Sequence, residues 1–181
     1  MSNMKKKAQI WIETVLYTLI GITLIGIVLA IVTPRINESR DRILVEQSIE
    51  SLNAWDDRIG ELTYRGQGNV RNIPAFTMKK GELIINSTGN EIIFIVDGLS
   101  KPYSEIGFEI REGSVYLTSY ETERSAYTRL VLKYQNVTNI TYAGTEEDKK
   151  FTAASTPYSF SIENLGGQPY PQIDIKETSR R

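Results

Sequence analysis

Apolar positions follow three successive rhythms along the chain, and each predicts a different kind of element. Residues 10–33, IWIETVLYTLIGITLIGIVLAIVT, are apolar on every face and hold one charge, Glu13. A helix of that length, rising about 1.5 Å per residue, spans roughly 36 Å and can cross the ~30 Å hydrocarbon core of a bilayer. Pro34 follows; it has no amide hydrogen to donate and disfavours helical geometry at Thr33, so a kink or break is expected near 33–36. Beyond it Val45, Ile49, Leu52, Asp56, Ile59 and Leu62 step by three and four with Trp55 alongside. Arg40, Asp41, Glu46, Glu50 and Asp57 take other faces. This second rhythm is an amphipathic helix whose stripe needs cover, and the C-terminal part of the same chain is the nearest candidate. A coiled coil is the runner-up, since the run lacks a strict a/d pattern.

The third rhythm has period two. Gly66, Gly68 and Pro74 mark a loop, after which short alternating segments predict strands at 76–78, 83–86, 92–96, 106–110, 115–120, 127–134, 139–142, 158–162 and 172–175. Turn residues separate them at Lys79-Lys80-Gly81, at Ser87-Thr88-Gly89-Asn90 and at Arg111-Glu112-Gly113. Within 106–110, Ile106, Phe108 and Ile110 alternate with polar neighbours, which predicts one buried face. The polar segment 144–157, with Glu146-Glu147-Asp148-Lys149-Lys150, reads as a solvated loop. The fold class expected is α+β: a long N-terminal transmembrane and stalk helix, then an antiparallel β-sheet domain arranged as a meander that packs on the stalk stripe.

Charge adds an orientation. Lys5, Lys6 and Lys7 directly precede the apolar run, and the positive-inside tendency then holds the N-terminus in the cytoplasm and everything after Pro34 outside. Arg35, Arg40 and Arg42 weaken that asymmetry without reversing it. A secretory signal peptide with a site at Val28-Leu29-Ala30 shares the basic-then-apolar layout, but the run is long for such a leader and helical periodicity continues past Ala30.

Composition narrows the chemistry. The chain of 181 residues has 21 basic and 22 acidic side chains spread along it, for a formal charge of −1, so no electrostatic footprint for nucleic acid is evident. It has neither cysteine nor histidine, which removes disulfides, thiolate catalysis and the commonest general base and metal ligand. No enzyme, cofactor or metal site is expected: Asp56-Asp57, Glu146-Glu147-Asp148 and Asp174 show no calcium-loop spacing, and no phosphate loop is present. Four N-x-[ST] sequons stand at Asn37, Asn86, Asn136 and Asn139. Asn86 and the pair Asn136 and Asn139 are the better glycosylation candidates in an outward-facing domain, with Asn37 close to the apolar segment.

The stretch Lys5-Lys6-Lys7-Ala8 followed by Gln9-Ile10-Trp11-Ile12-Glu13 and an unbroken apolar helix resembles the class III signal peptide of archaeal type IV pilins and pilin-like proteins. That family has Gln as first mature residue, often Ser at the third, Glu at the fifth and Leu at the ninth. Gln9 and Glu13 match, whereas Trp11 and Tyr17 depart from the pattern. The resemblance covers residue 5 to about residue 60. It implies a leader, 1–8, cut between Ala8 and Gln9 by a prepilin peptidase. It further implies a helix over 9–62, with 9–33 in membrane or filament core and 35–62 as stalk, and a β domain over 63–181 outside the cell. The retained helices would leave the membrane at a pilus assembly platform and pack with other copies of the chain into a helical surface filament. Glu13 would there meet the α-amine of Gln9 in a neighbour. Gly26 and Ala30 have the small-xxx-small spacing that lets helices approach closely. The alternative is a signal-anchored single-pass surface protein whose β domain binds a ligand or partner without polymerising.

Overall fold

The computed structural model describes residues 2–178, with side chains from Trp11 onward. The helix α1, Ser2–Arg65, precedes ten strands among the described residues. The chain divides into two compact units, the first ending at Arg40 and the second beginning at Asp41. α1 is the expected helix, but it does not break at 33–36: residues 30–38 are all helical, with Pro34 inside. Proline removes one hydrogen bond, the one that the Ala30 carbonyl would accept, and turns already formed on both sides carry the helix past that loss.

In the second unit the stripe is covered as expected. Val45, Ile49, Leu52, Trp55, Ile59 and Leu62 are all buried in one cluster with residues of the strands. At about 1.5–3 kcal/mol for each fully buried large side chain, this stripe is the main bond between helix and sheets. Trp55 is its centre, meeting Phe76 and Phe160 edge-on with ring centroids 5.4 and 5.1 Å away. The helix ends at Arg65 because Gly66 takes the left-handed conformation, φ +84°, and the buried Asn164 donates its Nδ2 to the Leu62 carbonyl at 2.8 Å.

The strands form two sheets, not the single meander expected. One has six strands in the order β4-β5-β6-β3-β2-β8, with every pair antiparallel. These are β4 (Glu109–Glu112), β5 (Val115–Glu121), β6 (Ala126–Lys133), β3 (Glu91–Leu99), β2 (Glu82–Asn86) and β8 (Lys149–Thr152). The other has the order β1-β9-β10-β7, from β1 (Val70–Phe76), β9 (Tyr158–Gly166), β10 (Gln172–Glu177) and β7 (Asn139–Tyr142). Here β10 and β7 run parallel, Ile173 opposite Ile140, and the chain through β8 and β9 supplies the long connection that a parallel pair requires.

Three local expectations need correction. Ile106, Phe108 and Ile110 do not share a buried face; they are 48%, 61% and 40% exposed. Gly107, at φ +77°, breaks the backbone between them, leaving Ile106 an isolated bridge to Ser119 and starting β4 at Glu109. Residues 149–152 are strand, not loop: Phe151 is buried opposite Leu83 and draws the flanking lysines into an edge strand. β1 lies mostly before the expected 76–78, because Pro74 occupies a register shift between Ile73 and Phe76 on an edge strand, where a missing N–H is tolerated.

Candidate functional site

Two regions carry the chemistry singled out above, one in each unit. In the first, the residues from Trp11 to Thr33 are exposed except for half-buried Gly21. This is one helix long and apolar enough to cross a membrane, and none of its most apolar window is buried within the chain. Thr18, Thr23 and Thr33 donate their hydroxyls to the carbonyls of Thr14, Leu19 and Leu29 at 2.7–2.8 Å, so these groups are satisfied without water. Glu13, Gly26 and Ala30 all lie on this exposed helix, and a Cβ added at Gly26 would meet no atom within 4 Å. The side chains of Ala8 and Gln9 lie outside the described residues.

The sequons are distributed over both units. Asn37 is exposed on α1. Asn86 ends β2, half-buried, its Oδ1 accepting the Gly89 N–H at 2.7 Å within the turn. Asn136 is exposed at φ +61° between β6 and β7, and Asn139 is the exposed first residue of β7. The turn after Asn86 is joined to this second segment through Asn90, whose Oδ1 accepts the Ile140 N–H at 2.7 Å and whose carbonyl accepts the Tyr134 N–H at 2.9 Å. The fold thus ties together three of the four sequon segments. The buried hydroxyls of Thr138 and Thr141 are committed to Pro171 O and Asp174 Oδ1, at 2.7 and 2.9 Å.

Asp174 is itself fully buried; Oδ1 also accepts the Gly144 N–H at 2.7 Å, and Oδ2 stands 3.1 Å from Lys176 Nζ. Its hydrogen bond and charge raise the Lys176 ammonium above its ordinary value. This network fastens β7 to β10. At the N-terminal edge of the second unit, Asp41 Oδ2 accepts both the N–H and the hydroxyl of Ser100 at 2.7 and 2.6 Å, and Oδ1 accepts from Lys80 at 3.0 Å. Burial pushes the Asp41 carboxyl up, but these donors outweigh it and hold the carboxyl below its ordinary value.

Among the cavities that open on the second unit, two bear on its chemistry. One, of about 410 Å³, lies against Leu44, Ser48, Phe76 and Phe94. The other, of about 280 Å³, lies between the last turns of the helix and the β4–β5 turn, with Asp56, Tyr64, Arg111, Tyr116, Lys133 and Tyr134 in its wall. Tyr134 donates to Asp56 Oδ1 at 3.0 Å; burial, reinforced by the Asp56 charge, pushes its phenol far above the ordinary value. Lys133 and Arg111 both stand over the Tyr116 ring, at 4.1 and 5.3 Å from its centre. Sequence reasoning did not find this cavity. Its one legible signal was Asp56, the polar member of an otherwise apolar stripe.

The chain matches no family model, no curated protein and no solved structure.

Proposed function

We propose that the chain is a structural subunit of a surface filament of the archaeal type IV pilus kind, assembled through its apolar N-terminal helix. The observation that carries the reading is the exposed apolar surface of residues 11–33, none of whose most apolar window is covered by the chain's own residues. At about 25 cal/mol per Å², such a surface does not persist in water. It needs lipid before assembly and the helices of other copies afterwards, and a helix with internally satisfied hydroxyls suits both surroundings. A second unit with a core of its own, able to stand in water, fits the same life history.

On this reading the residues before the helix are a leader that a prepilin peptidase removes between Ala8 and Gln9. Glu13 then meets the new α-amine of a neighbour, and Gly26 and Ala30 provide the closely approaching face. The C-terminal domain faces outward, where Asn86, Asn136, Asn139 and Asn37 are candidate glycan acceptors. Glycans at Asn136 and Asn139 would be added before folding, since the threonines of those sequons are buried afterwards. Electron microscopy of cells with this chain labelled tests the reading. Label along filaments is the expected result; label confined to the cell envelope, with no filament carrying it, contradicts polymerisation.

A second reading, a signal-anchored surface protein that binds a ligand without polymerising, draws on the cavity beside Asp56.

A further inference from the structure

We propose that the cavity bounded by Asp56, Arg111 and Tyr116 binds a sugar acid, a single pyranose ring carrying a carboxylate. Its volume, about 280 Å³, lies near the lower end of the range for small-molecule sites and suits one ring, not a peptide or a lipid chain. Three features of the wall select the ligand chemistry.

The first is a guanidinium that stacks on Tyr116, 5.3 Å from the ring centre, and pairs with no carboxylate among the described residues. Arg111 donates Nε to the Gly113 carbonyl at 2.9 Å, so its terminal nitrogens keep the forked donor pair that matches a carboxylate. Lys133, by contrast, is already paired with Glu109 at 2.9 Å. The second is Asp56. This residue stands in the cavity wall; its Oδ1 takes the Tyr134 hydroxyl, and Oδ2 receives no hydrogen bond from the described residues, which leaves an acceptor for a ligand hydroxyl. The third is aromatic surface: Tyr64, in the same wall and 93% exposed, offers a face on which the C–H groups of a sugar ring can lie, while Tyr116 is covered by Lys133 and Arg111 and serves to hold those cations.

These features work only in combination. A simple carboxylate would satisfy Arg111 but leave the Asp56 acceptor unmet and repelling it. A neutral sugar would satisfy Asp56 and Tyr64 and leave the guanidinium without its anion. A phosphate dianion would meet Arg111 and Lys133, but Asp56 opposes it more strongly than it opposes a single negative charge. A uronate-type ring presents the anion, the hydroxyls and the apolar face together. The site is independent of polymerisation, and filament formation could fail while this binding stands.

The test is isothermal titration of the full chain in detergent micelles, made in a host that attaches no N-glycans, with methyl β-D-glucuronide as the probe and methyl β-D-glucoside and sodium acetate as comparisons. Saturable glucuronide binding is expected at concentrations up to about 10 mM, at least tenfold tighter than either comparison. Arg111→Ala and Asp56→Asn should each weaken it about tenfold or more, with the thermal midpoint unchanged; Asp56→Asn keeps an acceptor for Tyr134. Arg111→Lys, which keeps the charge and loses the fork, should fall between and provides the readout if the alanine variant does not fold. No saturable binding in that range, glucuronide binding no tighter than glucoside or acetate, or undiminished binding by the folded Arg111 variant overturns the proposal.

Discussion

Tyr134 and Asp56 lie 78 positions apart in sequence, and the phenol of one donates to the carboxylate of the other at 3.0 Å. The pair explains how a carboxylate is tolerated on the apolar stripe of the helix. It also makes a stability prediction with an asymmetric sign. Asp56→Ala leaves a buried hydroxyl without an acceptor and should cost about 1–3 kcal/mol. Tyr134→Phe removes the donor and leaves a carboxylate that the cavity opens to water, and should cost about 0.5–1.5 kcal/mol. The double variant should lose less than the two combined. Urea unfolding of the four proteins checks this; strict additivity would show that the hydroxyl and carboxylate do not depend on each other.

Acid should loosen the second unit. The Asp41 carboxyl is held below its ordinary value by Ser100 and Lys80, and Arg71 holds Glu61 down to about 2. Both groups bind protons more weakly folded than unfolded. Their stabilisation is therefore complete above the unfolded carboxyl range, near pH 4–4.5, and lost as pH falls through their lowered folded values, about 2 for Glu61. Asp41 should dominate, since its side chain is 13% exposed against 39% for Glu61, whose ion pairs water screens. The thermal midpoint should fall between pH 5 and pH 2.5, and Asp41→Asn should lower the neutral-pH midpoint while flattening that fall. An unchanged slope in Asp41→Asn would remove Asp41 from the account.

Trp55 should be the costliest single position in the core. Trp55→Ala removes the ring between Phe76 and Phe160 and should destabilise by about 3–5 kcal/mol. Trp55→Phe should cost clearly less, because the Trp55 Nε1 is buried with no hydrogen-bond partner among the described residues and phenylalanine removes that donor. Trp11, the other tryptophan, is 68% exposed, so in a Trp11→Phe background the fluorescence reports Trp55 alone. Equal losses for the alanine and phenylalanine variants would contradict this packing.

The proposed assembly role predicts variants that fold normally and fail late. The Cβ that Gly26→Leu adds meets no atom within 4 Å on this exposed helix, so domain stability and membrane insertion should be unchanged while filament yield drops. Glu13→Gln, which keeps the shape and removes the charge, should likewise insert and assemble poorly. Filament yields equal to the parent's for both would deny those residues their contact.

Much of the fold was legible where one rhythm dominated. The apolar run at 10–33, the stripe from Val45 to Leu62 and the strands around Ile92, Leu117, Leu130 and Phe160 each had many residues voting the same way. Legibility failed where one residue decided. Phe151 alone carries an edge strand otherwise made of charged and small polar residues, and Gly107 alone spoils an alternating pattern that would have buried Phe108. Long-range pairing was equally silent: nothing local in Ile140 or Ile173 announces that their strands run parallel. The cavity was hidden for the same reason, since Asp56, Arg111 and Tyr134 come together only once the β4–β5 turn docks on the helix, where Asn53 Oδ1 accepts the Ser114 N–H at 2.8 Å.

The N-terminus of the chain recovered from cell-surface material tests the central claim most directly. Intact mass and N-terminal sequencing should show a chain beginning at Gln9, with the apolar helix retained and an α-amine placed four residues before Glu13. A chain beginning at Met1, or one beginning at Ile31 after loss of the apolar helix, would contradict assembly through that helix.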